Sequence, residues 1–274
     1  MNIGLCISCI VETHSASISS FHLLFKLSFA FCRMFKPQVV FLDAVGTLFG
    51  VRDSVGEVYA KLASQFGVAA EPKTVNQAFF EQFAASPAMA FPGKDLKEIP
   101  RLEFEWWELI AIKTFKKVGV FEEFEDFSEF FKALYAHFET EQPWFVYPDV
   151  KPTLKRWKNQ GIELGVLSNF DSRLYSVLKA LNLAEYFTSV TISTRVGAAK
   201  PDPKIFTVAL EKHQCSPEKV IHIGDSLKAD YRGAKAAGIK AILIDRNEQG
   251  KTAPFEQESE LIECKSLEDL QFLT

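Results

Sequence analysis

Long apolar runs are scarce in this chain of 274 residues. The stretch from Phe21 to Cys32 is apolar but only about half a membrane span long, so it does not cross a bilayer. No positively charged segment precedes it and no small-residue cleavage site follows, which argues against a secretory signal. A basic block is missing as well. The 31 Lys and Arg are outnumbered by 35 Asp and Glu, for a formal charge of -4, so there is no row of cations to neutralise a phosphate backbone. Nucleic acid and membrane are thereby set aside as main partners. Cysteine is sparse: Cys6, Cys9, Cys32, Cys215 and Cys264 are an odd number in a chain too long to need staples. They read as thiols in a reducing, cytoplasmic setting. No feature of the sequence speaks to oligomeric state.

Charge is thin up to Arg33, where Glu12, Lys26 and Arg33 are the only formally charged residues. Met34 stands just before the strand-like run Phe35 to Phe41, so residues 1–33 are expected to be a leader outside the fold and Met34 the natural start. Cys6 and Cys9 have the spacing of a redox or zinc half-site, but no second pair and no strand-helix context accompany them. They carry no assigned function.

What is present is core material. Hydrophobic residues make up 47% and charged residues 24%, which excludes disorder and allows a large core with a smaller companion. Val39 to Leu42, Leu164 to Leu167, Val220 to Ile223 and Ala241 to Ile244 are short, branched, apolar runs that read as buried parallel strands. Helical patterns lie between them: Val150, Leu154 and Trp157 before Gly161, then Leu174 to Leu181, Ile205 to Leu210, and Tyr231 to Ala237 before Gly238. Strand alternating with helix predicts an α/β fold with a doubly wound parallel sheet. In such sheets chemistry collects beyond the carboxyl ends of the strands, where Asp43, Ser168 and Asp225 fall.

The long interval between the first two strands holds no strand-like run and several helical stripes. Ser54-x-x-Glu57 reads as a capping box opening a helix that buries Val55, Val58, Tyr59, Leu62 and Phe66 and stops at Gly67. Further stripes are Val75, Ala78, Phe79 and Phe83; Phe104, Trp107, Ala111, Phe115 and Val118 before Gly119; and Phe127, Phe130, Phe131, Leu134 and Phe138. The expected organisation is a core from residues 34–52 and 146–274, with an inserted helical cap at 53–145 placed to cover the sheet edge. Trp106 and Trp107 are adjacent and point about 100° apart on a helix, so one of them faces the cleft or solvent.

Asp43 leaves its strand beside Gly46 and Thr47, where it can reach a substrate or cap a turn. Ser168-Asn169 can bind a phosphate oxygen or cap the next helix. Lys200 precedes Pro201-Asp202-Pro203, with Asp202 as N-cap and Pro203 in the first turn, so its ammonium is held at a helix entrance. Asp225 and Asp230 add two more carboxylates at the edge that holds Asp43. Three acids so close cannot all stay ionised without a cation, and an all-oxygen donor set favours magnesium over zinc. His222 lies inside its strand and reads as a packed histidine, outside the site.

The order Asp43, Ser168, Lys200, Asp225 and Asp230 resembles the four signature motifs of the haloacid dehalogenase-like hydrolase superfamily, over Phe35 to about Ile244. The resemblance implies a Rossmann-like core with a helical cap of the C1 type. It implies Asp43 as nucleophile, Ser168, Asn169 and Thr47 as phosphate ligands and Lys200 as the charge steadying nucleophile and phosphate. Asp43, the Val45 backbone carbonyl, Asp225 and Asp230 would be the magnesium ligands. Glu105-Trp106-Trp107, Ser168-Asn169-Phe170-Asp171 and Lys200-Pro201-Asp202-Pro203 look like the branch named after rhythmically expressed protein 2.

One position departs from the family's phosphatases, which carry a second Asp two residues after the nucleophile to serve as acid and then base. Here that place is Val45. A positioned acid or base is worth roughly 10²- to 10⁴-fold in rate. The expectation is therefore a magnesium-dependent phosphatase of a small phosphorylated molecule, slow and partial to good leaving groups. A catalytically dormant phosphate- or partner-binding module is the alternative. Two other chemistries dispense with the acid. A 2-haloacid dehalogenase uses no magnesium, leaving Asp225 and Asp230 unexplained. A phosphonoacetaldehyde-type hydrolase needs a cap lysine, for which Lys61, Lys73, Lys94 and Lys97 are candidates.

Overall fold

The computed structural model describes residues 36–246 and 261–272. The expected leader, Met34 and the Cys6–Cys9 pair lie outside the described residues. Six strands form one sheet in the order β5-β4-β1-β6-β7-β8, with every neighbouring pair parallel. They are β1 (Val39–Leu42), β4 (Glu163–Ser168), β5 (Ser189–Ile192), β6 (Val220–Gly224), β7 (Lys240–Ile244) and β8 (Glu263–Cys264). The four strands read from the sequence are all present.

β1 is fully buried along its length, and its alternation divides the core in two. Val40 and Leu42 pack on one face with Leu154, Trp157 and Leu174; Val39 and Phe41 pack on the other with Ile205, Phe206 and Tyr231. A strand covered on both faces needs an unbroken apolar run, which Val39-Val40-Phe41-Leu42 supplies. The chain runs outward from β4 to β5 on one side of β1, then crosses to β6 on the other. A topological switch point of this kind opens a crevice at the carboxyl ends of β4, β1 and β6.

The covering helices are α5 (Val150–Asn159), α6 (Leu174–Ala180), α7 (Ser193–Val196) and α8 (Pro203–His213), followed by a π-helical turn (Leu227–Arg232) and α9 (Gly233–Ala236). The helix expected from Tyr231 to Ala237 is present and is entered through a wider turn, in which Ser226 caps Ala229 and its carbonyl accepts from both Asp230 and Tyr231. Asp202 caps α8 by accepting from the Lys204 N–H, with Pro203 at the first position.

The cap comprises α1 (Val55–Gln65), α2 (Pro72–Ala85), α3 (Ile99–Val118) and α4 (Phe127–His137). Ser54 caps α1, and Gly119 ends α3 in the left-handed region. Tyr59, Val75, Phe79, Ile110, Phe115, Phe130 and Leu134 form its core, and the rings meet mostly edge to face. Phe83 departs from its expected buried stripe: it is 42% exposed beside the exposed Phe80. The interval between β1 and β4 also holds two strands, against the expectation of none. β2 (Phe49–Val51) and β3 (Trp144–Val146) pair antiparallel where the chain leaves and re-enters the core. Each is only three residues long, too short to show an alternation. No helix among the described residues is long and apolar enough to cross a membrane.

Candidate active site

Asp43 follows β1 directly, and its backbone N–H donates to the Ile223 carbonyl of β6, which pins its Cα between two central strands. Asp43 is buried, its side chain 11% exposed. The Lys200 ammonium stands between Asp43 Oδ1 and Asp230 Oδ1, 2.6 Å from each, and donates a third bond of 2.8 Å to the Leu167 carbonyl. Lys200 thereby uses all three of its donors.

The loop carrying Lys200 is fixed from β4. Asn169 Oδ1 accepts from the Lys200 backbone N–H at 2.7 Å, and Asn169 Nδ2 donates to the Lys200 carbonyl at 2.9 Å. This clasp commits the Asn169 side chain and leaves its backbone for a ligand. The Ser168 hydroxyl stands beside the Asp43 carboxylate. Asp230 is anchored by the Ser226 N–H and by His222 Nε2, at 3.0 and 2.7 Å. His222 is packed as expected, yet it acts on the site from behind by orienting Asp230.

Asp43, Asp225 and Asp230 each offer an oxygen within 4.8 Å of the others. Two glycines make the approach possible. A Cβ on Gly46, whose φ is +83°, would lie 2.3 Å from Asp225 Oδ2; one on Gly224 would lie 2.2 Å from Asp230 Cγ. The electrostatics follow from crowding. Burial raises the Asp43 carboxyl above its usual range, with Lys200 pulling down and Asp230 pushing up. Burial and the charges of Asp43 and Asp230 push Asp225 up to about 7. Asp230 goes the other way: burial opposes its ionisation, but Lys200 and His222 outweigh it. Lys200 is raised, because Asp230 and Asp43 together exceed the burial penalty. Three carboxylates against one ammonium leave two negative charges, which a divalent cation balances. The donors are hard oxygens, and the Val45 carbonyl accepts no hydrogen bond from the described residues. The set fits a magnesium-like ion.

Thr47 is a correction. The resemblance implies a phosphate ligand here, but Thr47 is fully buried, does not line the cavity, and its hydroxyl has no partner among the described residues. The turn 44–49 folds its side chain inward because the Ala44 carbonyl accepts from Thr47, Leu48 and Phe49. None of the candidate cap lysines Lys61, Lys73, Lys94 and Lys97 lines the cavity, where Lys200 is the only amine among the described residues.

The site opens into a cavity of about 460 Å³ between cap and core, within the usual span for small-molecule sites. The cap is latched over it by side chains that sequence reasoning did not assign. Trp107 Nε1 donates to Asp171 Oδ2 at 2.6 Å, and Glu103 Oε1 accepts from both the N–H and hydroxyl of Ser172 at 3.0 Å. Arg173 forks onto Asp171 and donates to the Tyr135 carbonyl. Of the adjacent indoles Trp107 is the one in the cleft, while Trp106 donates to the Pro87 carbonyl. The pattern Asp171-x-Arg173 and the four-residue step from Glu103 to Trp107 were the available signals. Neither reveals a partner so far along the chain.

The family model for haloacid dehalogenase-like hydrolases matches residues 37–238. The chain belongs to this family. Mouse haloacid dehalogenase-like hydrolase domain-containing protein 3 is 36% identical over 206 residues, 75% of this chain and 81% of the mouse protein. The rhythmically expressed gene 2 protein of Drosophila melanogaster is 29% identical over 218 residues, 76% of this chain and 82% of the fly protein. Among solved structures, a HAD phosphatase from Thermococcus onnurineus superposes with a TM-score of 0.57 over 85% of this chain and 95% of its own, at 24% identity.

Proposed function

We propose that this hydrolase is a magnesium-dependent phosphatase of a small phosphorylated molecule, with Asp43 as the phosphoryl acceptor. The observation that carries the reading is the convergence of Asp43, Asp225 and Asp230 around one point with the Lys200 ammonium bonded to Asp43. Asp43, Asp225, Asp230 and the Val45 carbonyl would hold the cation, which would offset the charge that builds on the phosphoryl oxygens.

The chain's own residues do the rest. Lys200 fixes the Asp43 carboxylate, so one oxygen is aimed rather than free to rotate. That oxygen bonds to phosphorus as the ester P–O bond breaks. The departing alkoxide must take its proton from solvent, because Val45 offers none and, among the described residues, every carboxylate lining the cavity belongs to the acid cluster. Water then cleaves the acyl phosphate, regenerating Asp43 and releasing phosphate. The tyrosines in the cleft, Tyr59 and Tyr135, are held above their usual pKa by burial, with Arg173 opposing, and stay protonated. Loss of the acid costs roughly 3 to 5 kcal/mol of barrier, so turnover is slow and follows leaving-group quality. The two further carboxylates beside the nucleophile, Asp225 and Asp230, weigh against dehalogenation, since an uncompensated acid cluster would repel a haloacid carboxylate. Among the described residues neither Cys215 nor Cys264 is in a disulfide.

The test compares hydrolysis of generic phosphate esters, with and without magnesium, by wild type, Asp43→Asn and Val45→Asp. Magnesium-dependent turnover that Asp43→Asn abolishes supports the reading. An inert wild type with an active Val45→Asp supports a dormant binding module, and magnesium-independent halide release from a haloacid overturns the reading.

A further inference from the structure

The cavity has two unlike ends. At the core end stand the acids and Lys200; at the cap end the wall is apolar and largely aromatic, with Val55, Phe79, Phe83, Trp107, Phe131 and Leu134 as its main surfaces. Three of these rings are aligned. Phe79 and Trp107 lie 3° from parallel with centroids 6.4 Å apart, and Phe83 is within 23° of both, at 5.8 and 5.9 Å. Phe80 and Phe83, 52% and 42% exposed, carry the same character to the solvent side of the cavity.

The polar groups at this end are few and mostly spent. Arg173 gives Nε and Nη2 to Asp171 and Nη1 to the Tyr135 carbonyl, and its guanidinium lies 3.7 Å from the Tyr135 ring centre. Its charge is cancelled by a carboxylate in bidentate contact, so it does not recruit an anionic leaving group. The Trp107 N–H is given to Asp171. The Tyr59 and Tyr135 phenols also line the cavity, where each can exchange a hydrogen bond with a ligand. A ligand with one polar atom in reach of a phenol gains a hydrogen bond there.

A polyhydroxylated sugar would have to strip its hydroxyls of water against this wall with almost nothing to receive them. A flat apolar group loses no hydrogen bonds there and gains stacking and burial. Resting on the phosphatase reading for the core end of the site, the geometry points to a phosphate monoester whose organic part is aromatic or otherwise flat and apolar, with at most one or two polar atoms placed for Tyr59 or Tyr135. The aligned rings of Phe79, Phe83 and Trp107 select it.

Binding separates this inference from catalysis. Calorimetry in magnesium compares three non-hydrolysable ligands: 2-naphthylmethylphosphonate, methylphosphonate and a hexose 6-phosphonate. The expected result is that the naphthyl ligand binds at least roughly 30-fold tighter than methylphosphonate, in line with burial of a bicyclic ring. The hexose ligand should gain less than about 3-fold over methylphosphonate. Phe83→Ala, at a half-exposed site where the fold tolerates truncation, should cut the naphthyl-to-methyl ratio by roughly 5- to 10-fold. Equal binding of naphthyl and methyl ligands, tighter binding of the hexose ligand, no naphthyl binding at all, or a ratio untouched by Phe83→Ala would each overturn the inference. A protein that prefers the naphthyl ligand but hydrolyses no ester loses the phosphatase reading and keeps this one. A protein that turns over esters through Asp43 without the preference does the reverse.

Discussion

The indole N–H of Trp107, on the cap, points at the carboxylate of Asp171, on the loop that follows β4, across 2.6 Å. Asp171 is fully buried, and the same carboxylate takes the fork of Arg173. The loop that begins with Ser168 and Asn169 is therefore tied to the cap two residues beyond the clasp on Lys200, so cap position and site geometry share a support.

Trp107→Phe keeps the ring and removes the donor. The expected cost is about 1 kcal/mol, concentrated in cap opening rather than in global unfolding. Hydrogen exchange along α3 and residues 169–173 should quicken by roughly 5-fold, while exchange in β1 stays unchanged. Equal acceleration everywhere would show that the bond is a general packing element.

Val45→Asp should raise turnover most for esters of poor leaving groups, by roughly 10²- to 10⁴-fold, and least for nitrophenyl-type esters. The readout is the slope of log kcat/KM against leaving-group pKa, which should flatten in the variant. An unchanged slope would mean that the cleft cannot place an acid at this position.

Gly224→Ala isolates a purely steric demand, since the backbone there is ordinary while the added Cβ meets the Asp230 carboxylate at 2.2 Å. A destabilisation of about 1 to 3 kcal/mol is expected, with weaker magnesium binding in a calorimetric titration. Retention of both wild-type stability and affinity would show that Asp230 has room to yield.

Magnesium should stabilise the fold. At a hundred-fold excess over Kd the gain is about 2.7 kcal/mol, or roughly 5 to 11 °C in a domain of this size. Asp225→Asn should abolish that shift in a thermal scan, and a shift that survives the substitution would place the ion elsewhere.

Acid sensitivity has a specific source in Asp149. Burial works to raise its carboxyl, but Arg246, the Leu267 N–H and Ser266 outweigh it and hold it below its usual value. A carboxyl lower in the folded than in the unfolded state contributes stability fully above the unfolded pKa of about 3.9, and loses it as pH falls through the folded value. The stability gap between wild type and Asp149→Asn, measured by urea titration, should be constant above about pH 5 and shrink below about pH 4. A gap that widens on acidification would contradict the assignment.

The sheet and its central carboxylates were legible because each was signalled locally. Four unbroken apolar runs became four parallel strands, and acids placed one step past two of those strands met at the edge where they end. β5 escaped notice because Ser189 and Thr191 interrupt its apolar character, although it pairs with β4. β2 and β3 escaped because three residues carry no period. Thr47 was misplaced for a related reason: the direction of a side chain in a tight turn is set by which carbonyl the turn closes on, here that of Ala44, and spacing in the chain does not encode it. The latch of Glu103, Trp107, Asp171 and Arg173 joins segments more than sixty residues apart, so no local pattern could announce it.

β1 ends at the proposed nucleophile, and both of its neighbours come from far along the chain: Val39 sits opposite Glu163 on one side and Val220 on the other. A ribosome emits this strand first and its partners much later, after the whole cap has emerged. Closing such distant pairs is entropically slow. Asp43 therefore waits for nearly the entire polypeptide before it gains its surroundings, which leaves truncated or half-made chains without a working centre.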